Sequence, residues 1–312
     1  MKEYTCLVSV GRPYRTRFAP SPTGALHLGH ARTHLVTWLR ARQAKGAIVM
    51  RIEDLDPPRV VAGAEDALLR DHEWLGLDWD EGPIRQSERS SFYEDALEQL
   101  RLRGLIYGCT CSRKEIQQIA SAPHGEEAVY PGTCRAGPTR PGRPESLRFR
   151  FEEPSPGFDD ALHGPIAEGS ARGDFVVRRA DGLWAYQLAV VVDDAEQGIT
   201  EVVRGEDLLG ATPRQIALYR ALGRTVPGFL HLPLVLDAAG TRLSKRSGSI
   251  AIADHRRAGL EREQLLGLLA ASLGLLPTPR PIELDELLHL FSIEAIHRPP
   301  ATLEPILQSA PR

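Results

Sequence analysis

The order of elements between Tyr14 and Asp78 limits the choice of fold more than any other feature of the chain. Arg15 to Ala19 reads as a short strand and Pro20-Ser-Pro-Thr-Gly24 as a turn. From Leu26 to Ala44 apolar residues recur at helical spacing, at Leu28, Ala31, Leu35, Trp38 and Leu39. Gly46 ends that helix, Ala47 to Ile52 is a compact apolar strand, and Asp56-Pro57-Pro58 stops it. Ala64 to Leu75 is a second helix. A strand–helix–strand order predicts a parallel sheet in an α/β fold, because parallel neighbours need a long crossover and a helix supplies it.

Past Tyr107 the pattern changes. Gly and Pro become frequent up to about Phe175, with Pro138, Pro141, Pro144, Pro154, Pro156 and Pro165 in the stretch, and the helical period fades after Ala120. This predicts an inserted subdomain of short strands and loops. Regular structure resumes with Asp174 to Arg179 and Trp184 to Asp193, then a strand at Thr200 to Val203, a helix at Pro213 to Leu222 and a strand at His231 to Leu236. From about Ile252 the chain is Leu-rich with a helical period, above all over Glu261 to Leu275. The expected division gives residues 1–107 and 175–250 to the two halves of one α/β domain, 108–174 to the insert and 251–312 to a small helical domain.

The 312 residues are 42% hydrophobic and 25% charged, enough for a sizeable core, and with aromatics at 6% aliphatic side chains must fill it. A formal net charge of −3 carries no signal for a phosphate-backbone partner, so nucleic-acid binding has to be argued from motifs. No run of about eighteen apolar residues marks a membrane span. Met1 to Gly11 is too short and too polar for a signal peptide. Of the four cysteines, Cys109, Cys111 and Cys134 cluster and Cys6 stands apart. That is no secreted disulfide framework; it fits a reducing cytoplasm and one local metal site.

Two stretches carry chemistry. In Arg17-Phe-Ala-Pro-Ser-Pro-Thr-Gly24-Ala-Leu-His27-Leu-Gly29-His30, two histidines flank a glycine where a helix begins. A helix N-terminus offers free backbone N–H groups and a positive dipole end, Gly29 permits close approach of a flat ligand or phosphate, and the histidines can donate to phosphate oxygens. Such equipment at the end of a first strand lies where open α/β sheets bind ligands. Alone, a His-x-Gly-His tetrapeptide occurs often by chance. In Thr241-Arg242-Leu243-Ser244-Lys245-Arg246-Ser247, a flexible lysine stands between small hydroxyl residues in a polar loop, suited to gripping a departing polyphosphate. An isolated Leu-Ser-Lys would be a solvated basic loop. The two motifs in this order make the stronger case.

His27-Leu-Gly-His30 resembles the HIGH signature of class I aminoacyl-tRNA synthetases, and Leu243-Ser-Lys245 their KMSKS signature, with Leu in place of Met and Arg246 in place of the final Ser. Arg17-Phe-Ala-Pro-Ser-Pro-Thr-Gly24, Arg51-Ile-Glu-Asp54, Ala185-Tyr-Gln-Leu-Ala-Val-Val-Val-Asp-Asp194 and Glu201-Val-Val-Arg-Gly-Glu-Asp207 resemble the glutamyl branch. Asp56-Pro-Pro-Arg59, Cys109-Thr-Cys111 and the run from Asp174 to Tyr186 are similar to the glutamyl-queuosine tRNA(Asp) synthetases, which resemble a glutamyl-tRNA synthetase lacking the anticodon-binding domain. The chain ends at Arg312 just past a short helical stretch, without room for such a domain of ordinary size.

The resemblance implies a Rossmann-like catalytic domain that activates L-glutamate with ATP and Mg²⁺, without tRNA, and passes it to queuosine at the wobble position of tRNA(Asp). His27, Gly29, His30, Ser244 and Lys245 would bind ATP, with His27, His30 and Lys245 catalytic. A carboxylate side chain calls for arginine, and Arg17 and Arg204 match the family's positions; Glu53 matches for the substrate ammonium, and Ser21 and Tyr186 complete the pocket. Without the resemblance, the arginines would be read as salt bridges and Tyr186 as core. Asp54 and Asp56 suit magnesium, or turn formation and capping before Pro57, equally well.

Cys109-x-Cys111 and Tyr130-x3-Cys134 offer three thiolates and a phenol. Zinc takes four tetrahedral ligands and favours thiolates, and spacing alone leaves the fourth open among Tyr130, His124 and water. The resemblance implies Cys109, Cys111, Tyr130 and Cys134 around a structural Zn²⁺; buried free cysteines are the alternative. The expected protein is a cytoplasmic monomer that uses no membrane. Its rivals are a truncated glutamyl-tRNA synthetase charging the 3′ end of tRNA(Glu), an inert RNA-binding relative, and an enzyme passing the adenylate to a small molecule or another protein.

Overall fold

The computed structural model describes residues 12–112, 114–116, 129–236 and 251–302. Strand β1 (Arg15–Phe18) pairs in parallel with β2 (Ala47–Ile52), and β2 in parallel with β3 (Glu81–Arg85). Helix α1 (Leu28–Gln43) makes the first crossover and α2 (Ala64–Leu75) the second. The expected βαβα order is what forms, with the helix and strand limits within two residues of those read from the pattern. Between 78 and 107, where no element was expected, the chain adds β3, α3 (Ser90–Leu102) and the start of β4 (Ile106–Cys109).

A second parallel group lies beside the first. Its order is β7 (Gly164–Ile166), β6 (Phe158–Asp160), β10 (Gly228–Leu232), β9 (Glu201–Gly205), with β6 and β9 both parallel to β10. Thr200 joins the groups: its N–H donates to Arg15 O at 2.8 Å, and its Oγ1 accepts from Arg15 N–H at 2.8 Å. Helices α4 (Tyr186–Glu196) and α5 (Thr212–Ala221) follow in the second half. The strand expected over His231 to Leu236 is interrupted: β10 ends at Leu232 and β11 (Val235–Leu236) begins after Pro233, which has no N–H to continue a ladder.

Within 108–174, β5 (Ser146–Phe149) bridges β4 and β8 (Phe175–Arg178) in an antiparallel sheet. The β6–β7 hairpin falls inside the same stretch, yet it pairs with β10 in the main sheet. The insert therefore returns to the parallel layer before it closes.

The C-terminal helices α6 (Ile252–Arg257), α7 (Arg262–Leu273) and α8 (Leu284–Leu290), expected as a domain of their own, share one apolar cluster with β1, β2 and α1. Helix α7 is buried at Leu265, Leu266, Leu268, Leu269 and Leu273, nearly all round, so it cannot sit on a surface and needs α1 as partner. Buried Arg32 on α1 donates to Pro233 O and to Ser272 O, tying the β10 exit to α7. No helix among the described residues is long and apolar enough to cross a membrane.

Gly267 tests that packing. A Cβ there would stand 1.7 Å from Arg280 O and 2.7 Å from its carbonyl carbon. Alanine gains about 1 kcal/mol over glycine in a helix, but overpacking against backbone costs up to about 3 kcal/mol. Gly267→Ala is expected to lose about 2 kcal/mol net, read from the urea unfolding midpoint.

Candidate active site

One cavity of about 840 Å³ opens where the strands end, and Arg17, Ser21, His27, Gly29, His30, Glu53, Tyr186 and Arg204 all line it. Each arrives from a different part of the fold. Arg17 is on β1, Glu53 follows β2, Arg204 is on β9, and Tyr186 opens α4. His27 is the N-cap residue of α1, which carries no acidic residue in its first turn and no side-chain cap, leaving that end to an anion. The His27 and His30 rings stack at 3.9 Å between centroids. A Cβ on Gly29 would press on the His27 ring at 3.4 Å. Ser244 and Lys245 lie outside the described residues.

Behind the cavity sits a buried charge network. Asp194 Oδ1 accepts from Arg17 Nε at 3.1 Å and from Arg51 Nη1 at 2.7 Å. Arg51 is fully buried; it also donates to Gln197 Oε1 at 2.9 Å and to Glu53 Oε1 at 3.2 Å. Burial pushes the Asp194 carboxyl up, but Arg51 and Arg17 outweigh it and hold the group below the usual carboxylate range. Glu53 goes the other way, raised by burial against the pull of the same arginines. Neighbouring Asp193 faces α3, accepting from Arg89 at 2.6 Å, Gln86 at 2.8 Å and Tyr93 at 2.8 Å. The pocket's arginine and its carboxylate are thus set by Arg51 and Asp194, both inside the motifs quoted above but given no role there.

Arg204 is 5% exposed. Its Nε and Nη2 are bonded, to His231 at 3.0 Å and Thr212 at 2.8 Å, while Nη1 is buried with no partner among the described residues. An unpaired buried guanidinium nitrogen is costly unless a ligand meets it. Asp54 accepts from Ser87 N–H at 2.8 Å and Ser87 Oγ–H at 2.6 Å, and Asp56 pairs with Arg179 at 3.3 Å, so both carboxylates have structural partners. Exposed Arg59, also on the rim of the cavity, closes the Asp56-Pro-Pro-Arg59 motif but was given no role there.

Apart from the cavity, the sulfurs of Cys109, Cys111 and Cys134 lie within 4.8 Å of one another. Cys111 and Cys134 sulfurs are 3.7 Å apart, and the Tyr130 oxygen is 3.3 Å from Cys109 Sγ and 3.9 Å from Cys111 Sγ. Tetrahedral zinc with about 2.3 Å bonds to sulfur and about 2.0 Å to oxygen needs S–S edges of about 3.8 Å and S–O edges of about 3.5 Å. The four groups fit a metal ion of that kind. Burial raises the Cys134 thiol, but hydrogen bonds from Thr139 and Thr110 outweigh it and bring it down to about 6; burial and the neighbouring sulfurs push Cys111 up to about 11. Cys6 and His124 lie outside the described residues.

The model of class I tRNA synthetases (E and Q), catalytic domain, matches residues 13–279. The glutamyl-Q tRNA(Asp) synthetase of Symbiobacterium thermophilum is 48% identical over 306 residues, covering 92% of this chain and 95% of that one. The chain belongs to the glutamyl-Q tRNA(Asp) synthetase family. Its counterpart from Deinococcus radiodurans is 50% identical over 293 residues, with 91% and 98% covered. The fold superposes on the crystal structure of a glutamate tRNA ligase from Elizabethkingia meningosepticum with a TM-score of 0.80 at 28% identity, covering 94% of this chain and 67% of the other. Membership makes the chain a class I synthetase and a ligase, and the parallel sheet with its α/β layers is the fold of that class.

Two more histidines lie next to the signature pair, with the His30 and His34 rings 6.3 Å apart between centroids. His34 Nδ1 and His72 Nε2 are 2.8 Å apart, and His72 Nδ1 is 2.7 Å from Leu68 O. A carbonyl only accepts, so His72 carries its proton on Nδ1 and takes the His34 Nδ1–H at Nε2. A second proton on His72 would set two donors face to face. Burial lowers His72 to about 4 and holds His34 well below its ordinary range. Between pH 6.5 and about 4 the unfolded chain binds the His72 proton and the folded chain does not, so stability rises with pH across that window. Acidification through it is expected to remove up to about 3 kcal/mol through His72. His72→Gln flattens that part of the curve, measured by denaturant unfolding at each pH.

Proposed function

We propose that the cavity binds L-glutamate beside ATP, forms glutamyl-adenylate without tRNA, and hands the glutamyl group to queuosine at the wobble position of tRNA(Asp). The observation that carries this reading is the meeting of eight residues, from three strand ends and two helix starts, around one cavity in which Arg204 keeps a buried nitrogen unpaired among the described residues. The names of the relatives support the acceptor. The related ligase solved with its amino acid supports the amino-acid pocket.

Glutamate would lie with its side-chain carboxylate on Arg17 and Arg204 and its ammonium at Glu53, with Ser21 and Tyr186 closing the pocket. An α-carboxylate oxygen attacks the α-phosphorus of ATP; the bond from that phosphorus to the α–β bridging oxygen breaks, and pyrophosphate leaves with Mg²⁺. His27 and His30 hold phosphate oxygens at the α1 N-terminus, Gly29 leaves room for the nucleotide, and Ser244 and Lys245 meet the growing negative charge. A hydroxyl of the queuosine ring then attacks the acyl carbon, an ester forms, and AMP departs. The protein works as a cytoplasmic monomer, with residues 1–107 and 175–250 as the catalytic domain, 108–174 facing the tRNA and 251–312 as helical support.

Cys109, Cys111, Tyr130 and Cys134 would hold a structural zinc ion, which when bound supplies the positive charge that keeps these ligands deprotonated. Purified protein is expected to carry a single zinc per chain by atomic absorption, and Cys134→Ser to lose most of it.

The test of the reaction has two arms. Glutamate-dependent ATP–pyrophosphate exchange should proceed without tRNA and fall at least about a hundredfold in Lys245→Ala. Labelled glutamate should enter tRNA(Asp) from queuosine-replete cells and not tRNA from queuosine-deficient cells. Charging of unmodified tRNA(Glu) would replace this reading with that of a glutamyl-tRNA synthetase.

A further inference from the structure

Arg204 is held from behind by a chain of buried groups outside the cavity motifs. Its Nε donates to His231 Nε2 at 3.0 Å, and the other ring nitrogen, Nδ1, lies 2.6 Å from Asp160 Oδ2. His231 is fully buried and Asp160 3% exposed. A carboxylate accepts, so the imidazole proton belongs on Nδ1, which leaves Nε2 as the acceptor that the Arg204 Nε–H requires. Burial lowers the His231 pKa despite Asp160, so the ring is neutral. Asp160 is fixed in turn: Oδ1 accepts from the N–H groups of Leu162 and His163, both at 3.0 Å, and Oδ2 from the His231 N–H at 3.1 Å. Thr212 Oγ1 takes Arg204 Nη2–H at 2.8 Å, and its own proton has Leu208 O and His231 Nε2 each within 3.2 Å. With two of its nitrogens engaged in this way, Arg204 has one buried nitrogen, Nη1, left for a ligand.

We infer that Asp160 and His231 set the imidazole tautomer that positions Arg204 for the side-chain carboxylate of the amino acid, making both of them positioning residues for substrate choice. The inference rests on the proposed role of Arg204. The other tautomer would turn Nε2–H against Arg204 Nε–H, and the guanidinium would have to swing away from its seat. Asp160 belongs to β6, in the stretch between the metal-site cysteines and β8, so amino-acid selection depends on a segment outside the signature motifs.

Calorimetric titration of the full chain with L-glutamate, and separately with ATP, tests this. His231→Leu is expected to weaken glutamate binding at least about tenfold, as loss of one hydrogen bond to a charged group implies, while ATP affinity stays within about twofold. His231→Gln, whose Oε1 can accept from Arg204 Nε, should recover to within about threefold of the parent. Asp160→Asn keeps the caps on Leu162 and His163 but turns an amide N–H toward the ring, and should weaken glutamate binding like His231→Leu. Unchanged glutamate affinity in His231→Leu, an equal loss of ATP affinity, or no recovery with glutamine overturns the inference. Arg204→Ala separates the two layers. If it leaves glutamate binding intact, the pocket reading falls and the inference with it; if it weakens binding while His231→Leu does not, the inference alone falls. Circular dichroism follows folding, and should His231→Leu not fold, Asp160→Asn carries the same comparison.

Discussion

Asp194, 3% exposed at the end of α4, receives hydrogen bonds from two buried arginines on two different strands. Bringing such charges out of water costs several kcal/mol per ion, recovered only when each is paired and hydrogen-bonded. Here Arg17 and Arg51 are offset by Asp194 and Glu53, so the set is close to neutral. Removing one member would strand a buried charge, at a cost of about 3–5 kcal/mol. That cost locks α4 against β1 and β2, and it aligns Arg17 and Glu53 along the same wall of the cavity. Stability and the geometry of the pocket therefore rest on the same contacts.

The parallel sheet does the rest of the positioning. Arg17, Glu53 and Arg204 sit at or just past the ends of three strands, and His27 caps the helix that follows the first of them. Strand ends and helix starts coincide in this topology, so arginine side chains and a helix N-terminus converge on one cavity without any loop having to reach far. Side chains on rigid elements hold a site more tightly than loops do.

The first βαβ unit was legible because periodicity and punctuation agree: Ala47–Ile52 and Ala64–Leu75 form over the residues their patterns mark. The eight predicted pocket residues that the structure describes all line one cavity, because strand–turn–helix order brings their motifs together. What the sequence hides is pairing at a distance. Asp160 and His231 are 71 positions apart, and neither stands in a recognisable pattern. Asp160 also lay in a stretch whose prolines pointed to a separate subdomain, whereas β6 belongs to the main sheet. Leucines on α7 were read correctly as helical, but period alone does not say that their partner is α1. Pro233 was visible, yet the strand it divides was read through it.

The β6–β7 hairpin gives the insert an unusual bond to the body of the molecule. Its first strand covers one side of β10, and without it that side would be an open row of peptide groups, the kind of edge on which chains pair with one another. The segment 108–174 is therefore not a detachable module. A shortened chain without it would lose the hydrogen bonds to β10 and the seat of His231, and would leave an open strand edge at which copies of the chain can pair.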